Sequence, residues 1–497
     1  MSRVLVVGAG IGGLAAAMRL QAMGHRVTVL EQSEEIGGKL GVVEQDGFRF
    51  DTGPSLLTMP QVLEELFAST GSSVHDVLSL QRLPLAAGYR FPDGTELNMP
   101  GTLADIPAAL DAALGPGRGA QWSALLDRAR AIWDVTHGPF LESPMRLRTM
   151  VGGLIKPSDV RTVAPWHTLR GLGRRYLRDP RLMMLLDRYA TYTGSDPRRA
   201  PAALASIPWT EQAWGSWYVR GGLGRIAVAL RDRLLELGGA VETNSLVVEL
   251  TTDARGHVTG AVLADGRVET AEIVVADADA RQVYERLVRT PATRRAAAHL
   301  RRATPSLSGF AILLALDDPP ADAPHHQVLF AEDYDAEFDA VFGFGGPLRP
   351  VAAPTVYISA PDDPAVVPGP GTGAWFVLVN APRHDPEAGM DWDAPGSADD
   401  YADLVLRVMA ERGLDVRPRI RHTTVITPAD LERRTCTPGG SIYGSSSNGP
   451  RAAFLRPANT APVPGLFLVG GSAHPGGGLP LVMLSARIVA GLIGPSA

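Results

Sequence analysis

The feature that most constrains this chain is a glycine-rich turn between a short apolar strand and an apolar helix near the N-terminus. Residues 4–7 are all apolar, residues 8–13 read Gly-Ala-Gly-Ile-Gly-Gly, and a largely apolar stretch continues to residue 23. A second predicted strand, residues 26–30, leads directly into Glu31. This order of strand, G-x-G-x-x-G, helix, strand and acid predicts an α/β fold whose first βαβ unit binds a dinucleotide.

Each position of this motif has a physical role in the prediction. Gly8 allows the tight turn, Gly10 lets the backbone approach a pyrophosphate, and Gly13 lets the helix and strand pack closely. A carboxylate at Glu31 would accept hydrogen bonds from ribose hydroxyls and would disfavour a 2′-phosphate, so NADP is not expected. The candidate cofactor-binding residues of this unit are Gly8, Gly10, Ile11, Gly12, Gly13, Glu31 and Gln32.

The stretch after Glu31 favours FAD over NAD. It contains a second glycine turn with a cation, Gly37-Gly38-Lys39, then a predicted strand at 48–50 and Asp-Thr-Gly-Pro-Ser at 51–55. Additional glycine loops suit the long FAD molecule, whose phosphates, ribityl chain and ring need several backbone contacts. Lys39 would lie near phosphate or flavin, with a solvated surface lysine as the alternative. The candidate residues here are Gly38, Lys39, Gly53, Pro54 and Ser55.

A third glycine loop, near the C-terminus, is expected to hold the flavin ring. Residues 465–470 predict a buried strand, and a helix is predicted from 481 to 492. A helix N-terminus aimed at the loop would stabilise negative charge that builds up on the flavin. His474 could act as an acid or base, but its glycine and proline neighbours favour a loop-ordering hydrogen bond. The candidate residues are Gly470, Gly471, Gly478, Leu479 and Pro480.

Several of these strings resemble the signatures of one family, the bacterial-type phytoene and carotenoid desaturases. They are E-x(5)-G-G-K followed by F-x-x-D-x-G, and the string G-G-S-A-H-P-G-G-G-L-P at 470–480. Residues 217–224, 325–338 and 376–382 resemble further family segments, so the resemblance covers nearly the whole chain. It implies that Val247 contacts the adenine end of FAD.

The resemblance also implies an activity. Members introduce conjugated double bonds into carotenoids or related polyisoprenoids, with a hydride passing to flavin N5 and the electrons then to O2 or a quinone. Later-acting members, such as carotenoid 3,4-desaturases and diapocarotenoid desaturases or oxidases, are the nearest in pattern. Three alternatives stay open: a carotene cis–trans isomerase, an amine oxidase, and a flavin-binding protein without catalytic activity. No catalytic acid or base is assigned.

The resemblance predicts two domains that interleave along the chain. One is a discontinuous FAD-binding domain of the glutathione-reductase type, and the other is an α+β substrate domain with a mixed sheet and a helical insert. Alternating apolar and polar residues predict strands at 308–316, 355–360 and 374–380. The predicted segments are 1–75, 222–290 and 415–497 for the FAD-binding domain, and 76–221 and 291–414 for the substrate domain.

Charge and composition exclude several other classes of protein. The formal net charge of the 497 residues is −6, which gives no sign of a nucleic-acid partner. His325 and His326 are adjacent, but no cysteine or carboxylate accompanies them at ligand spacing, so no metal is expected. Cys436 is the one cysteine, which fits a reducing cytoplasm, and we expect it to be a small buried apolar side chain.

The apolar runs are too short for a membrane-spanning helix, and the N-terminus lacks the pattern of a signal peptide. We therefore expect a cytoplasmic protein, peripheral on the inner face of the cell membrane. Residues 140–177 combine an apolar run, 150–155, with several arginines. This mixture predicts docking on a membrane surface, with an ordinary helical insert as the alternative.

Overall fold

Two large sheets organise this chain, seen here in a computed structural model that describes residues 1–145, 156–449, 452 and 456–496. One sheet has five strands and the other seven, and three smaller sheets accompany them. The strands are β1 (Arg3–Val7), β2 (Arg26–Leu30), β3 (Val42–Gln45), β4 (Phe48–Asp51), β5 (Leu80–Arg82), β6 (Leu85–Arg90), β7 (Glu96–Pro100), β8 (Trp217–Val219), β9 (Ala240–Glu242), β10 (Val247–Thr252), β11 (Val258–Leu263), β12 (Val268–Thr270), β13 (Ile273–Ala276), β14 (Ser308–Asp317), β15 (His326–Leu329), β16 (Val356–Ser359), β17 (Thr372–Ala381), β18 (Ile420–Ile426) and β19 (Leu466–Leu468).

Helices cover both sheets. The α-helices of the described residues are α1 (Ile11–Ala22), α2 (Pro60–Ala68), α3 (Ile106–Leu114), α4 (Arg118–Thr136), α5 (Pro157–Val163), α6 (Leu169–Tyr176), α7 (Pro180–Arg188), α8 (Ser206–Trp214), α9 (Arg225–Glu236), α10 (Ala280–Gln282), α11 (Arg294–Arg302), α12 (Tyr334–Phe342), α13 (Ser397–Glu411), α14 (Pro428–Thr435) and α15 (Leu479–Ile493). Shorter 3-10 or π-helical turns lie at Val74–Asp76, Leu103–Asp105, His137–Leu141, Tyr189–Thr193, Ala202–Ala205, Val283–Leu287, Arg417–Arg419 and Pro438–Gly440. No helix found among the described ranges is both long and apolar enough to cross a membrane.

The five-stranded sheet is parallel, and its strand order is β19-β13-β1-β2-β9. Strand β1 is the apolar run seen in the sequence, and it is buried because it lies at the centre of the sheet. Helix α1 packs against α9 and α15, which come from the middle and the end of the chain. The predicted discontinuous Rossmann-like fold is confirmed, because three distant chain segments build this one sheet.

The seven-stranded sheet has the order β18-β14-β17-β16-β15-β6-β7. Strands β14 and β17 pair antiparallel along their whole length, while β15 and β6 run parallel, so the sheet is mixed as predicted. The three strands predicted in this region correspond to β14, β16 and β17. Strand β18 pairs with β14 and therefore lies on the substrate side, although the FAD-binding segment was predicted to begin at 415. The domain boundaries stay a prediction.

The helical insert forms a separate layer beside the seven-stranded sheet. Helix α4 contacts α3, α6 and α8, and a cluster of buried apolar residues fills the space between these helices and the sheet. Trp122 on α4 is 1% exposed, and its indole N–H donates to the Gln212 side chain on α8 at 3.0 Å. This layer fixes α8 opposite the sheet and leaves room for a cavity between them.

Candidate active site

One large cavity of about 590 Å³ is lined by residues of both sheets and of the helical insert. Of the eighteen candidate positions named from the sequence, sixteen line it, and the other two, Gly13 and Gly470, do not. The three glycine loops, at 8–13, 37–55 and 470–480, therefore border the same cavity.

The glycine loop after β1 has the tight geometry that was predicted. Gly8 has a φ of +99° and donates its N–H to the Leu30 carbonyl at 2.8 Å. A Cβ at Gly13 would lie 2.2 Å from the Gly8 oxygen, and one at Gly12 would lie 2.9 Å from the Gly470 Cα. Gly13 and Gly470 thus support the cavity wall from behind, because only glycine allows these close approaches.

Asp277, just after β13, is a site residue that was not named as a candidate. Its Oδ2 accepts the Gly13 N–H at 2.7 Å, and a Cβ at Gly10 would lie 2.5 Å from the same oxygen. Burial raises the pKa of Asp277 to about 7, and Glu31 also raises it, while the Gly13 hydrogen bond and Lys39 oppose the rise. An acid after a parallel strand next to β1 was the signal that could have identified it.

Glu31 and Gln32 line the cavity, and their side chains also form hydrogen bonds with neighbouring segments of the protein. The Glu31 carboxylate accepts the Ala9 N–H at 2.7 Å through Oε2 and the Ser33 N–H at 3.0 Å through Oε1. The Gln32 side chain donates to the Arg434 carbonyl at 2.9 Å and accepts from the Cys436 thiol at 3.2 Å. The expectation for Cys436 is therefore wrong, because this residue is half-buried on the cavity wall and its thiol has a polar partner.

Lys39 lies on the cavity wall, which excludes the solvated surface alternative. Its ammonium donates to the carbonyls of Ser441 at 3.1 Å and Ile442 at 2.7 Å. Burial lowers its pKa to about 8, and the carboxylates of Asp279 and Asp277 partly counteract that effect.

Two arginines from the C-terminal part also line the cavity, and they too were missed as candidates. Arg434 donates to the Thr52 hydroxyl at 2.9 Å. Arg456 donates to the carbonyls of Tyr443 and Gly471, each at 2.9 Å, and burial lowers its pKa to about 10. Isolated arginines have no diagnostic spacing, so only the fold shows that they converge with Lys39.

The C-terminal loop leads into α15 as predicted. Gly478 has a φ of +109°, and a Cβ built there would meet no atom within 4 Å, so this glycine faces open space. The first N–H groups of α15 follow it and lack partners within the helix. The His474 ring bonds the Ser143 carbonyl through Nε2 at 3.0 Å, in agreement with a loop-ordering role.

These features fit FAD. The glycine loops leave room for backbone contacts, and Glu31 suits a ribose. Two helix N-termini and the cations Lys39, Arg434 and Arg456, which all line the cavity, suit a pyrophosphate and a reduced ring. Val247 also lines the cavity, and its contact with an adenine stays a prediction. Together, the residues present form a donor set for an elongated anionic dinucleotide.

The other half of the cavity is mainly apolar. Its wall includes Trp133, Leu204, Ile207, Leu307, Val328, Phe376, Leu378 and Leu481. The hydroxyl of Ser55, a candidate FAD-binding residue, lies 2.6 Å from the Tyr357 hydroxyl, which in turn is 2.8 Å from His326 Nδ1. Burial holds the pKa of His326 well below its usual value, so this histidine is neutral.

Comparison with known proteins agrees with this geometry. The model of the family of flavin containing amine oxidoreductases matches residues 11–494. A 4,4′-diapolycopene oxygenase of a Methylomonas species is 32% identical, over 98% of this chain and 97% of its own length. A hydroxyneurosporene desaturase of Rubrivivax gelatinosus is 34% identical, over 98% and 92%. This chain belongs to the carotenoid desaturase family of flavin containing amine oxidoreductases.

Membership makes the chain an FAD-dependent oxidoreductase. A solved oxidoreductase from Methanosarcina mazei has the same fold, with a TM-score of 0.62 at 16% identity over 98% of this chain and 100% of that one. Individual FAD contacts of the eighteen candidate residues stay predictions.

Proposed function

We propose that this enzyme introduces conjugated double bonds into a carotenoid or a related polyisoprenoid, acting late in a series of such steps. The observation that carries the proposal is the continuity of one cavity, in which a polar half suited to FAD opens into an apolar half. An apolar chamber of this kind suits a long hydrocarbon chain, since its walls keep the chain out of water and the chain needs no polar partners there. The named activities of the relatives support the same substrate class.

Bound FAD would supply the oxidising power, accepting a hydride at N5. The protein's part is to hold the polyene in the chamber and exclude water, so that an allylic cation is not trapped before a neighbouring carbon loses its proton. The N-terminus of α15 would stabilise negative charge on the reduced ring by about 0.5–2 kcal/mol. No strong base is required for the proton, and none is assigned.

The electrons would leave for O2 or a quinone. The sequence offers no second strand–GxGxxG–helix unit, because the glycines at 343–346 are followed by Pro347, which stops a helix. A nicotinamide coenzyme as the acceptor is therefore disfavoured.

Co-expression with pathways for phytoene, lycopene and hydroxylated carotenoids, followed by HPLC of the pigments, tests the proposal. A product with a longer chromophore in one pathway is expected. A product of unchanged chromophore length and altered geometry would instead support isomerisation, and no product in any pathway would contradict the proposal. Glu31→Ala serves as the control, because it should abolish both flavin retention and product.

We also propose that the enzyme docks on the inner face of the cell membrane through the insert 140–177. Trp166 is 61% exposed and Val160 is 38% exposed, and Arg174 and Arg175 lie in the last turn of the neighbouring helix α6. Apolar side chains beside arginines suit an interface with anionic lipid. The apolar run 150–155, with Arg146 and Arg148, lies outside the described residues.

Sedimentation with vesicles of anionic phospholipid tests this docking. The wild-type enzyme should co-sediment, and Trp166→Ala should reduce the bound fraction. Val268→Ala is the matched control, because Val268 is equally exposed, at 60%, but lies on β12 in the three-stranded sheet. Equal loss in both variants, or no binding by the wild type, would contradict the proposal.

A further inference from the structure

A buried arginine, Arg188, interrupts the apolar half of the cavity. It is the last residue of α7, it is 8% exposed, and its side chain lines the cavity. Its guanidinium carbon lies 5.1 Å from the ring centre of Tyr192 and 5.7 Å from those of Tyr89 and Tyr189. Aromatic faces thus surround a charge that a hydrocarbon-binding chamber does not need.

Among the described residues, the hydrogen bonds of Arg188 reach a carboxylate only through a tyrosine. The Tyr192 hydroxyl accepts from Arg188 at 2.9 Å and donates to the Glu211 carboxylate at 2.8 Å. Tyr189 donates to the other oxygen of Glu211 at 2.7 Å, which occupies both oxygens of that carboxylate. Glu211 therefore orients Tyr192, whose hydroxyl lone pair accepts from Arg188. The ring of Tyr189 lies beneath the guanidinium.

Arg188 has more hydrogen-bond donors than this network uses. A guanidinium carries five N–H donors. The hydrogen bonds found within the described residues engage two of its nitrogens, with the hydroxyls of Tyr192 and, at 3.3 Å, Tyr89. A hydrocarbon pressed against the remaining donors would desolvate them without compensation, which is unfavourable, whereas an oxygen atom would accept from them.

Hydroxyl groups that line the same cavity complete a polar recess, which we define as Arg188, Thr191, Tyr192, Ser206 and Thr210. Each of the two threonines and the serine lines the cavity and donates to a backbone carbonyl, at 2.7–2.9 Å. Their oxygens keep lone pairs that can accept a hydrogen bond. The recess thus offers donors from Arg188 and acceptors from these hydroxyls.

We infer that this recess binds an oxygen atom near one end of the polyene, a hydroxyl or a carbonyl, and so selects oxygenated carotenoids over hydrocarbons. The inference rests on the proposed function and assigns its substrate class. A hydroxyl would use both the donors and the acceptors of the recess, and a carbonyl would use Arg188 alone. Binding of the oxygen atom fixes how far the polyene enters the cavity. This depth sets which C–C bond of the polyene lies beside the flavin loops.

The test compares three polyenes of equal length with the flavin-loaded enzyme: a hydrocarbon, one with a terminal hydroxyl, and one with a terminal aldehyde. The first readout is kcat/KM. The second is the dissociation constant of fully conjugated, unreactive analogues, measured by their absorbance shift. The wild type should favour an oxygenated polyene by about 10- to 100-fold in both, the expected range for a buried hydrogen bond to a charged group.

Arg188→Met should reduce that preference towards unity. Thr210→Val provides a milder variant of nearly the same shape, in case loss of Arg188 prevents folding, and it should lower the preference for the hydroxyl without lowering that for the aldehyde. Arg255→Met is the matched control, because Arg255 is exposed in a surface turn, and it should keep the wild-type preference.

Failure of the inference and failure of the proposed function give different results. If the wild type oxidises hydrocarbon and oxygenated polyenes equally, or if Arg188→Met and Thr210→Val keep the wild-type preference, the recess does not select oxygen. If no polyene is oxidised and none of the analogues binds, the proposed function itself is contradicted.

Discussion

Replacing Asp277 by Asn should make FAD binding nearly independent of pH between pH 6 and 7.5. The Asp277 carboxyl bonds the Gly13 N–H at 2.7 Å, at the helix N-terminus expected to face the pyrophosphate. Its pKa of about 7 means that it ionises within this range, and its charge would then oppose the phosphates. Bound FAD would raise that pKa further, so the complex retains the proton and binding weakens as pH rises.

The size of the effect follows from the fraction of protein that carries the proton. With a pKa of about 7 for Asp277, that fraction falls from about 91% at pH 6 to about 24% at pH 7.5, so Kd rises about fourfold. Lys39, with a pKa of about 8, also loses its charge as the pH rises, but this loss changes Kd only about 1.3-fold between pH 6 and 7.5. The Asn variant should retain only this smaller change.

The assay is titration of FAD-depleted protein with FAD at a series of pH values, followed by flavin fluorescence. Asp265→Asn is the control, because Asp265 is exposed in a hairpin turn, and it should show the wild-type fourfold change. A fourfold change that persists in Asp277→Asn would refute the reasoning.

Three other substitutions test separate parts of the site. Gly13→Ala should give protein with little bound flavin by absorbance ratio, since its Cβ would lie 2.2 Å from the Gly8 oxygen, whereas Gly491→Ala, with no atom within 4 Å, should keep its flavin. Lys39→Met should weaken FAD binding about tenfold in calorimetry, because the cavity loses a charge-assisted donor, and an unchanged Kd would contradict its role there. Tyr357→Phe should lower the free energy of unfolding in urea by about 1–3 kcal/mol, because it leaves the buried His326 Nδ1 without its partner, and a change below about 0.5 kcal/mol would contradict that.

The sequence predicted the parts of the site that depend on local geometry. Gly8 and Gly13 could be assigned because a turn between a strand and a helix needs glycine at defined spacings. The C-terminal loop could be assigned because Pro480 suits a first helical turn. In each case the chemical requirement lies within a few consecutive residues.

The parts that were missed depend on convergence of distant segments. Asp277, Arg434 and Arg456 reach the same wall as Lys39 only because the five-stranded sheet and α14 bring their segments together. Arg188 is a similar case, because its surroundings include Tyr89, which is far from it in the sequence. The sequence around such residues has no periodic pattern that would predict their burial or their place in the site.

The most direct test of the central claim is an anaerobic single turnover with a polyene bound to the fully oxidised enzyme. For each equivalent of flavin bleached, we expect one equivalent of product that has lost two hydrogen atoms by mass spectrometry and absorbs at longer wavelength. A product of unchanged mass, or flavin that stays oxidised while the polyene changes, would contradict FAD-dependent desaturation.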